Sequence, residues 1–186
     1  GLLFEHIERG FGAHRVIEIP VATGKARTLI DETAETFVFV FGNSFRRDVN
    51  DLKEIIWRSE RDGWNHLYLY VGVTGKVKNQ ITKGQWVVRE VVEVDEDKRQ
   101  ITFRAAGREP GQDPYYLHTY RVNFDGTGLL RLTEGDGTHS TQVSPDKTVF
   151  IDTRSRVDLP PRHALRRVSD GKLLCVVEAA EAKELY

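Results

Sequence analysis

Three histidines recur at a constant step of 52 residues, at His14, His66 and His118, and each opens a short run of aliphatic or aromatic residues. Imidazole is a common zinc ligand, so this set raises the chemistry of a metal centre. Zinc needs its ligands about 2.0 to 2.1 Å from one shared point. Equivalent positions of a repeat lie in successive units instead. The spacing therefore predicts a structural role at each strand start and no metal site.

Three other patterns that could support chemistry are incomplete. Residues 134–139 (EGDGTH) lack the full oxygen-ligand pattern of a calcium loop, which favours a tight hairpin turn. Gly126 and Gly128 lack the third glycine and the helix of a dinucleotide motif. No Gly-x-Ser-x-Gly elbow occurs, and no second glycine follows Ser44 at the required spacing. The sequence predicts no cofactor and no catalytic residue of a self-sufficient hydrolase.

Residues 41–47 are the best candidates for binding. An apolar run over residues 37–41 breaks into a polar turn, after which aromatic and guanidinium groups follow at a strand end. Loops at strand ends of a rigid scaffold commonly carry binding residues. The candidate binding residues are Phe41, Asn43, Phe45 and Arg46. Packing, or a solvated loop, is the alternative that these residue types leave open.

The elements that would position these residues repeat about every fifty residues. Each strand start leads into a glycine turn, and the four turns are residues 23–25, 74–76, 126–128 and 170–172. A period of about 40 to 50 residues built from short strands and tight turns is typical of a β-propeller blade. The sequence predicts an all-β fold, a partial propeller of roughly four blades with about four antiparallel strands each. Residues 1–186 are expected to form part of one domain.

Several packing predictions follow from composition. Trp57, Trp64 and Trp86 are expected to pack between blades. The run over residues 37–41 is expected to form a strand covered on both faces. Cys175, the only cysteine, excludes an intrachain disulfide and is expected to be buried in an apolar strand. The Ala/Glu/Lys-rich residues 179–186 could begin a helix.

Charge and composition exclude some partners. The net charge of −1 gives no electrostatic argument for nucleic acid or an anionic membrane as a partner. No apolar run approaches the roughly 20 residues of a membrane span. The chain contains no methionine and no leader-like segment at its start, so we expect a piece of a longer protein.

Several motifs, in the right order, resemble the dipeptidyl peptidase IV-like proteins of bacteria, in the prolyl oligopeptidase family of serine peptidases. Residues 54–70 (EIIWRSERDGWNHLYLY) carry the most specific similarity. The other similar segments are residues 80–88 (QITKGQWVV), 123–129 (NFDGTGL), 131–137 (RLTEGDG), 144–147 (SPDK) and 152–161 (DTRSRVDLPP). Residues 1–53 are less similar but keep the repeat period.

The resemblance implies the second half of an N-terminal propeller, whose catalytic partner is a C-terminal α/β-hydrolase domain of the same chain. The propeller would gate and position peptide substrates, which such enzymes cleave after a penultimate proline or alanine. By rough position, the resemblance places Phe41, Asn43, Phe45 and Arg46 as substrate-cavity candidates. It also implies a parent protein exported to the periplasm. The paired glutamates that hold the substrate's amino terminus in this family have no match, because no Glu-Glu pair occurs.

Two alternatives remain at this level. One is a stand-alone propeller scaffold that binds protein partners, and the other is a homologue whose hydrolase domain has lost its serine. In every case a half-ring exposes end faces that normally pack on neighbouring blades. We therefore expect the isolated chain to self-associate.

Overall fold

The computed structural model describes residues 1–42 and 44–180, and within them the regular elements are all β-strands. They form four antiparallel sheets, of three strands in the first and four in each of the others. This confirms the all-β partial propeller. The strands are β1 (Leu2–Ile7), β2 (Ala13–Ile19), β3 (Arg27–Thr33), β4 (Arg46–Val49), β5 (Glu54–Ser59), β6 (His66–Val71), β7 (Lys76–Gln80), β8 (Val87–Asp95), β9 (Gln100–Ala106), β10 (Leu117–Asn123), β11 (Leu130–Arg131), β12 (Thr138–Val143), β13 (Val149–Arg156), β14 (Leu159–Arg167) and β15 (Leu173–Ala179).

The sheets belong to two compact units. The first comprises residues 1–84 with 124–126 and contains the sheets β1–β3 and β4–β7. The second comprises residues 85–123 and the described residues from 127 onward, and contains the sheets β8–β11 and β12–β15. In every sheet, strands that follow one another along the chain pair as neighbours, as expected of a blade.

The core of the first unit lies between its two sheets. All six residues of β5 are buried, and five of the six in β6 are buried. The buried cluster joins Val16, Leu29 and Ile30 of the first sheet to Ile55, Trp57, Tyr68 and Tyr70 of the second. Strands covered on both faces carry continuous apolar runs, which is what the sequence has in β5 and β6.

A glycine turn of one sheet approaches the backbone of the sheet before it. Gly75, between β6 and β7, has a φ of +69°, and a Cβ there would overlap the backbone oxygen of Leu29 on β3. Gly171, between β14 and β15, has a φ of +72°, and its Cβ would lie 2.6 Å from the Leu132 oxygen. Left-handed backbone and lack of space together require glycine. The repeated turns therefore set how closely sheets stack within each unit.

His66, at the start of β6, forms hydrogen bonds with the segment that follows β7. Its Nε2 donates to the Gly84 carbonyl at 2.9 Å, so its Nδ1 accepts from the Thr82 hydroxyl at 3.0 Å. The same hydroxyl oxygen accepts the backbone N–H of Leu67 at 2.9 Å.

His118 makes the equivalent contacts in the second unit. Its Nδ1 lies 3.2 Å from the Thr133 hydroxyl, which accepts the Thr119 N–H at 3.0 Å. Its Nε2 lies 2.8 Å from Gln112 Oε1. These contacts confirm the predicted structural role for His66 and His118.

The apolar run over residues 37–41 forms no strand, contrary to the prediction. β3 ends at Thr33 and β4 begins at Arg46, so the run is irregular backbone between two sheets. Phe37, Phe39 and Phe41 are exposed, whereas Val40 is buried. A hydrophobic run predicts a strand only where a partner strand lies alongside, and the first sheet stops at three strands.

Two single-residue predictions are also wrong. Cys175 is exposed, because it lies on β15, an outer strand whose residues are all exposed. Trp64 is 40% exposed in the turn between β5 and β6. Trp57 is buried between the two sheets of the first unit, as predicted, and Trp86 is buried against Phe103 of β9 and Tyr120 of β10. Ala179 ends β15, and residues 181–186, where a helix was predicted, lie outside the described residues.

Candidate functional site

A cavity of about 80 Å³ lies in the first unit, where the ends of β3 and β5 meet the irregular segment of residues 37–39. Its polar wall includes Glu32, Ser59 and Arg61, and its apolar wall includes Phe37, Phe39 and Trp57. Sites for drug-sized ligands measure about 300 to 1,000 Å³. The space is therefore suited to one small side chain or a few waters.

The Glu32 carboxylate is the centre of the polar wall. One oxygen accepts from the Ser59 hydroxyl at 2.5 Å, and the other accepts from Arg61 Nη2 at 2.7 Å and Trp57 Nε1 at 3.3 Å. Glu32 is 8% exposed. Donors of the protein itself therefore occupy both carboxylate oxygens.

Arg61 is held as a cation against aromatic rings. Its guanidinium lies 4.6 Å from the centre of the Tyr68 ring, 5.5 Å from that of Tyr70, and donates to the Tyr70 hydroxyl. Burial lowers the pKa of Arg61, but its hydrogen-bonding partners Tyr70 and Glu32 outweigh burial and raise that pKa above its ordinary value. Burial, followed by Asp62, raises the pKa of Tyr68 as well. These groups keep their protons, so the cluster suits binding and support, not proton transfer.

Arg58 of β5 forms hydrogen bonds with the segment that follows residue 41. Its Nη2 lies 3.3 Å from the Gly42 and Ser44 carbonyl oxygens, and its backbone N–H donates to the Phe45 carbonyl at 3.0 Å. The Arg58 residue is 7% exposed. Bonds from a buried strand therefore fix the course of this loop.

Of the predicted substrate-cavity residues, the three that the structure describes, Phe41, Phe45 and Arg46, do not line the cavity. Phe41 is 65% exposed and meets the Phe11 ring edge-on at 5.0 Å. Phe45 is half-buried, and Arg46 of β4 pairs with Asp48 at 2.6 Å. Asn43 lies outside the described residues. Their contact with substrate stays a prediction.

The cavity residues were missed because their partners are distant in sequence. The sequence gives Glu32 no distinguishing pattern, and it places Arg61 only within the similar segment of residues 54–70. They are 29 positions apart, and nothing local predicts their pairing. The one usable signal was the polar run directly after β5, where a buried strand ends at charged residues.

Within the described residues, no group of three or more His, Cys, Asp or Glu side chains could hold a metal ion. The acidic turn at residues 134–139 uses its side chains internally, since Asp136 pairs with Arg156 and His139 Nδ1 lies 2.7 Å from Asp152. No helix in the described part of the chain is long and apolar enough to cross a membrane.

Comparison with known proteins identifies the family. Residues 1–161 match the family described as the dipeptidyl peptidase IV (DPP IV) N-terminal region. The chain belongs to that family. The resemblance drawn from the motifs is thereby confirmed, and the four sheets are part of a DPP IV-type N-terminal propeller.

Curated relatives are similar over part of this DPP IV N-terminal chain. Dipeptidyl peptidase 4 of Trichophyton equinum is 33% identical over 89 residues, which is 48% of this chain and 11% of that protein. Probable dipeptidyl-aminopeptidase B of Aspergillus oryzae is 32% identical over 73 residues, which is 39% of this chain and 8% of that protein. The matched segments thus span about a tenth of these relatives.

Solved structures share the fold. The crystal structure of Porphyromonas gingivalis dipeptidyl peptidase 4 superposes with a TM-score of 0.73 at 19% identity, covering 98% of this chain and 25% of that one. A putative dipeptidyl aminopeptidase IV from Bacteroides ovatus gives 0.74 at 21% identity, covering 96% and 27%. At these identities the likeness establishes the fold alone, over about a quarter of each neighbour.

Proposed function

We propose that this chain is the non-catalytic propeller portion of a dipeptidyl peptidase IV-like serine exopeptidase. It gates and positions peptide substrates for a C-terminal α/β-hydrolase domain of the same chain. The observation that carries the proposal is the family match over residues 1–161. Two further points support it: the sequence has no serine elbow, and the buried carboxylate of the 80 Å³ cavity bonds to the partly exposed guanidinium beside it.

The gating role requires a rigid wall, because a wall that deforms does not exclude substrates by size. The ion pair between Glu32 and Arg61 and the bonds of Arg58 to its loop supply that rigidity in the first unit. A wall that excludes folded chains and orients short peptides raises the rate by positioning, with no acid–base step of its own.

The substrate-facing surface in this proposal is the aromatic loop, which we define as residues 37–46. It holds the candidates Phe41, Asn43, Phe45 and Arg46, and the exposed Phe37 and Phe39 add to the same surface. Exposed aromatic rings on a loop tied to a buried strand suit the apolar side chains of a peptide. Arg46 contributes through its ion pair with Asp48, which holds the start of β4 in place.

We propose that adjoining blades of the full-length protein cover β1 and β15, the first and last strands of the structure. Leu2, Phe4 and Ile7 of β1 are exposed, and so is the whole of β15. The solved relatives are about four times longer than the part that this chain matches, which leaves room for further blades. An exposed apolar strand at the end of a sheet is a ready surface for a second chain.

The test uses the full-length protein that carries this chain. Phe39→Ala and Phe41→Ala are compared for kcat/KM on a dipeptide anilide and on a longer peptide, both with proline at the second position. We expect about a tenfold loss on the longer peptide only, the effect of one lost aromatic contact. Val21→Ala, at an exposed turn residue of the same unit, is the control and should change neither value. Equal losses on both substrates, or none, would overturn the placement of the aromatic loop, and a full-length protein without peptidase activity would overturn the function.

A further inference from the structure

A second cavity, of about 240 Å³, lies in the second unit beside β13 and β14. Three arginines line it, Arg154, Arg162 and Arg166, together with the carboxylates of Asp152 and Glu134. The aromatic loop and the 80 Å³ cavity belong to the first unit, so this cavity is separate from the site already described.

Arg154 and Arg162 lie directly opposite each other on neighbouring antiparallel strands. Side chains at such positions share a face of the sheet, with Cβ atoms about 4.5 to 5.5 Å apart, and like charges there are destabilising. Among the residues that the structure describes, neither guanidinium forms a hydrogen bond or an ion pair. Two cations thus face one cavity, and no carboxylate of the described residues is paired with either of them.

The nearby carboxylates are already bound elsewhere. Asp152 accepts Arg166 Nε at 2.9 Å on one oxygen and His139 Nδ1 at 2.7 Å on the other. Glu134, whose side chain is 67% exposed, lies 3.3 Å from Arg166 Nη1. Arg166 is therefore neutralised locally, and the charges of Arg154 and Arg162 remain in excess.

The turn before β12 leaves space for the Arg154 side chain. A Cβ at Gly135, where φ is +102°, would overlap Arg154 Nη1. A Cβ at Gly137 would lie 3.1 Å from Arg154 Cγ. The two glycines of the acidic turn thus accommodate this side chain along its length. Arg154 is half-buried and preorganised, whereas Arg162 is exposed at the mouth of the cavity.

We propose that Arg154 and Arg162 together bind an oxyanion, a carboxylate or a phosphate group, in this cavity. Guanidinium groups match the oxygen spacing of both anions and bind them through charge-assisted hydrogen bonds. An oxyanion between the two side chains removes the like-charge repulsion across the strands. The site is independent of the peptidase proposal, because none of its residues belongs to the aromatic loop.

The test measures binding of inorganic phosphate and of succinate to the protein by calorimetry, at constant ionic strength, together with the shift in Tm. We expect saturable binding and a rise in Tm. Arg162→Gln, an exposed change that leaves the core intact, should weaken binding about tenfold, and Arg154→Gln should do the same. Arg167→Gln removes the same charge from an exposed position on the same strand and should leave binding unchanged within about twofold.

The relative affinities identify the source of the anion. Tighter succinate binding supports a carboxylate ligand such as an acidic peptide, and tighter phosphate binding supports a phosphorylated ligand. The proposal is overturned if neither probe binds saturably at millimolar concentration, or if Arg162→Gln binds as well as Arg167→Gln does.

Discussion

Arg61 Nη2 lies 2.7 Å from Glu32 Oε2, and this ion pair joins the end of β3 to the turn after β5. It therefore connects the two sheets of the first unit at the rim of the 80 Å³ cavity. Ser59 and Trp57 donate to the same carboxylate, so three donors from the second sheet converge on one residue of the first.

Replacing Glu32 by Gln should destabilise the first unit. The change removes the charge that balances Arg61 and leaves a donor amide facing at least one of its former donors. Breaking a buried pair costs about 3 to 5 kcal/mol, and since the Arg61 side chain is a third exposed we expect about 2 kcal/mol. Urea denaturation measures the loss. Glu35→Gln, an exposed change just after β3, is the control, and an equal effect of both variants would contradict the account.

Replacing Gly75 by Ala should cost more than replacing Gly24. Both glycines have left-handed backbone, with φ of +69° and +62°, so both changes cost about 1 kcal/mol in strain. Only Gly75 also has the Leu29 backbone where its Cβ would lie, whereas Gly24 has open space. We expect a Tm loss at least twice as large for Gly75→Ala. Matching losses would mean that the stacking of the first two sheets does not depend on this contact.

Acid should destabilise the second unit through His118. Burial first, and then the neighbouring His139, whose ring lies 4.6 Å away, lower the pKa of His118 from 6.5 to about 4. The folded state then holds fewer protons than the unfolded state between pH 4 and 6.5. Stability is therefore present above pH 6.5 and falls as the pH drops through this window, by at most about 3 kcal/mol.

Thermal melts across that pH range test this expectation. His118→Gln should flatten the dependence, since glutamine does not titrate, although it lowers Tm at neutral pH by losing the Thr133 contact. His6→Gln, at an exposed histidine, should leave the slope as it is. An unchanged slope in His118→Gln would place the acid sensitivity elsewhere, with Arg131 and Glu109 as the other charged groups facing His118.

The isolated chain should self-associate through its outer strands. The whole of β15 is exposed, including Val176 and Val177. The first strand, β1, also exposes apolar side chains. Val177→Glu should shift light scattering toward monomer, because a charge on an edge strand opposes pairing. Val21→Glu, in an exposed turn, should have no effect. A monomer at high concentration in the unmodified chain would contradict this prediction.

The repeated features of the fold could be predicted from sequence because their determinants are local. The turn glycines at 24, 75 and 171 all adopt the positive φ that the pattern required. The histidines near the starts of the strands could likewise be recognised from their fixed spacing of 52 residues. The aromatic run at residues 37–41 was misjudged because its residue types suit a strand, whereas strand formation also needs a free sheet edge.

The sites could not be predicted because they depend on pairings across sheets and strands. Glu32 and Arg61 meet only when two sheets stack, and no spacing rule connects them. The opposition of Arg154 and Arg162 depends on the register of one hairpin, which a shift of one residue would abolish. Cys175 and Trp64 show the same limit, since exposure depends on which strands and turns lie at the edge.

The most direct test of the central claim compares peptidase activity in the full-length protein and in this chain alone. The substrate is a chromogenic Xaa-Pro anilide, with a serine-directed inhibitor as the second measurement. We predict inhibitor-sensitive release of the chromophore by the full-length protein and none by the chain alone. Turnover by the chain alone, or a full-length protein that cleaves no such substrate, would contradict the assignment of this chain as the non-catalytic propeller of a peptidase.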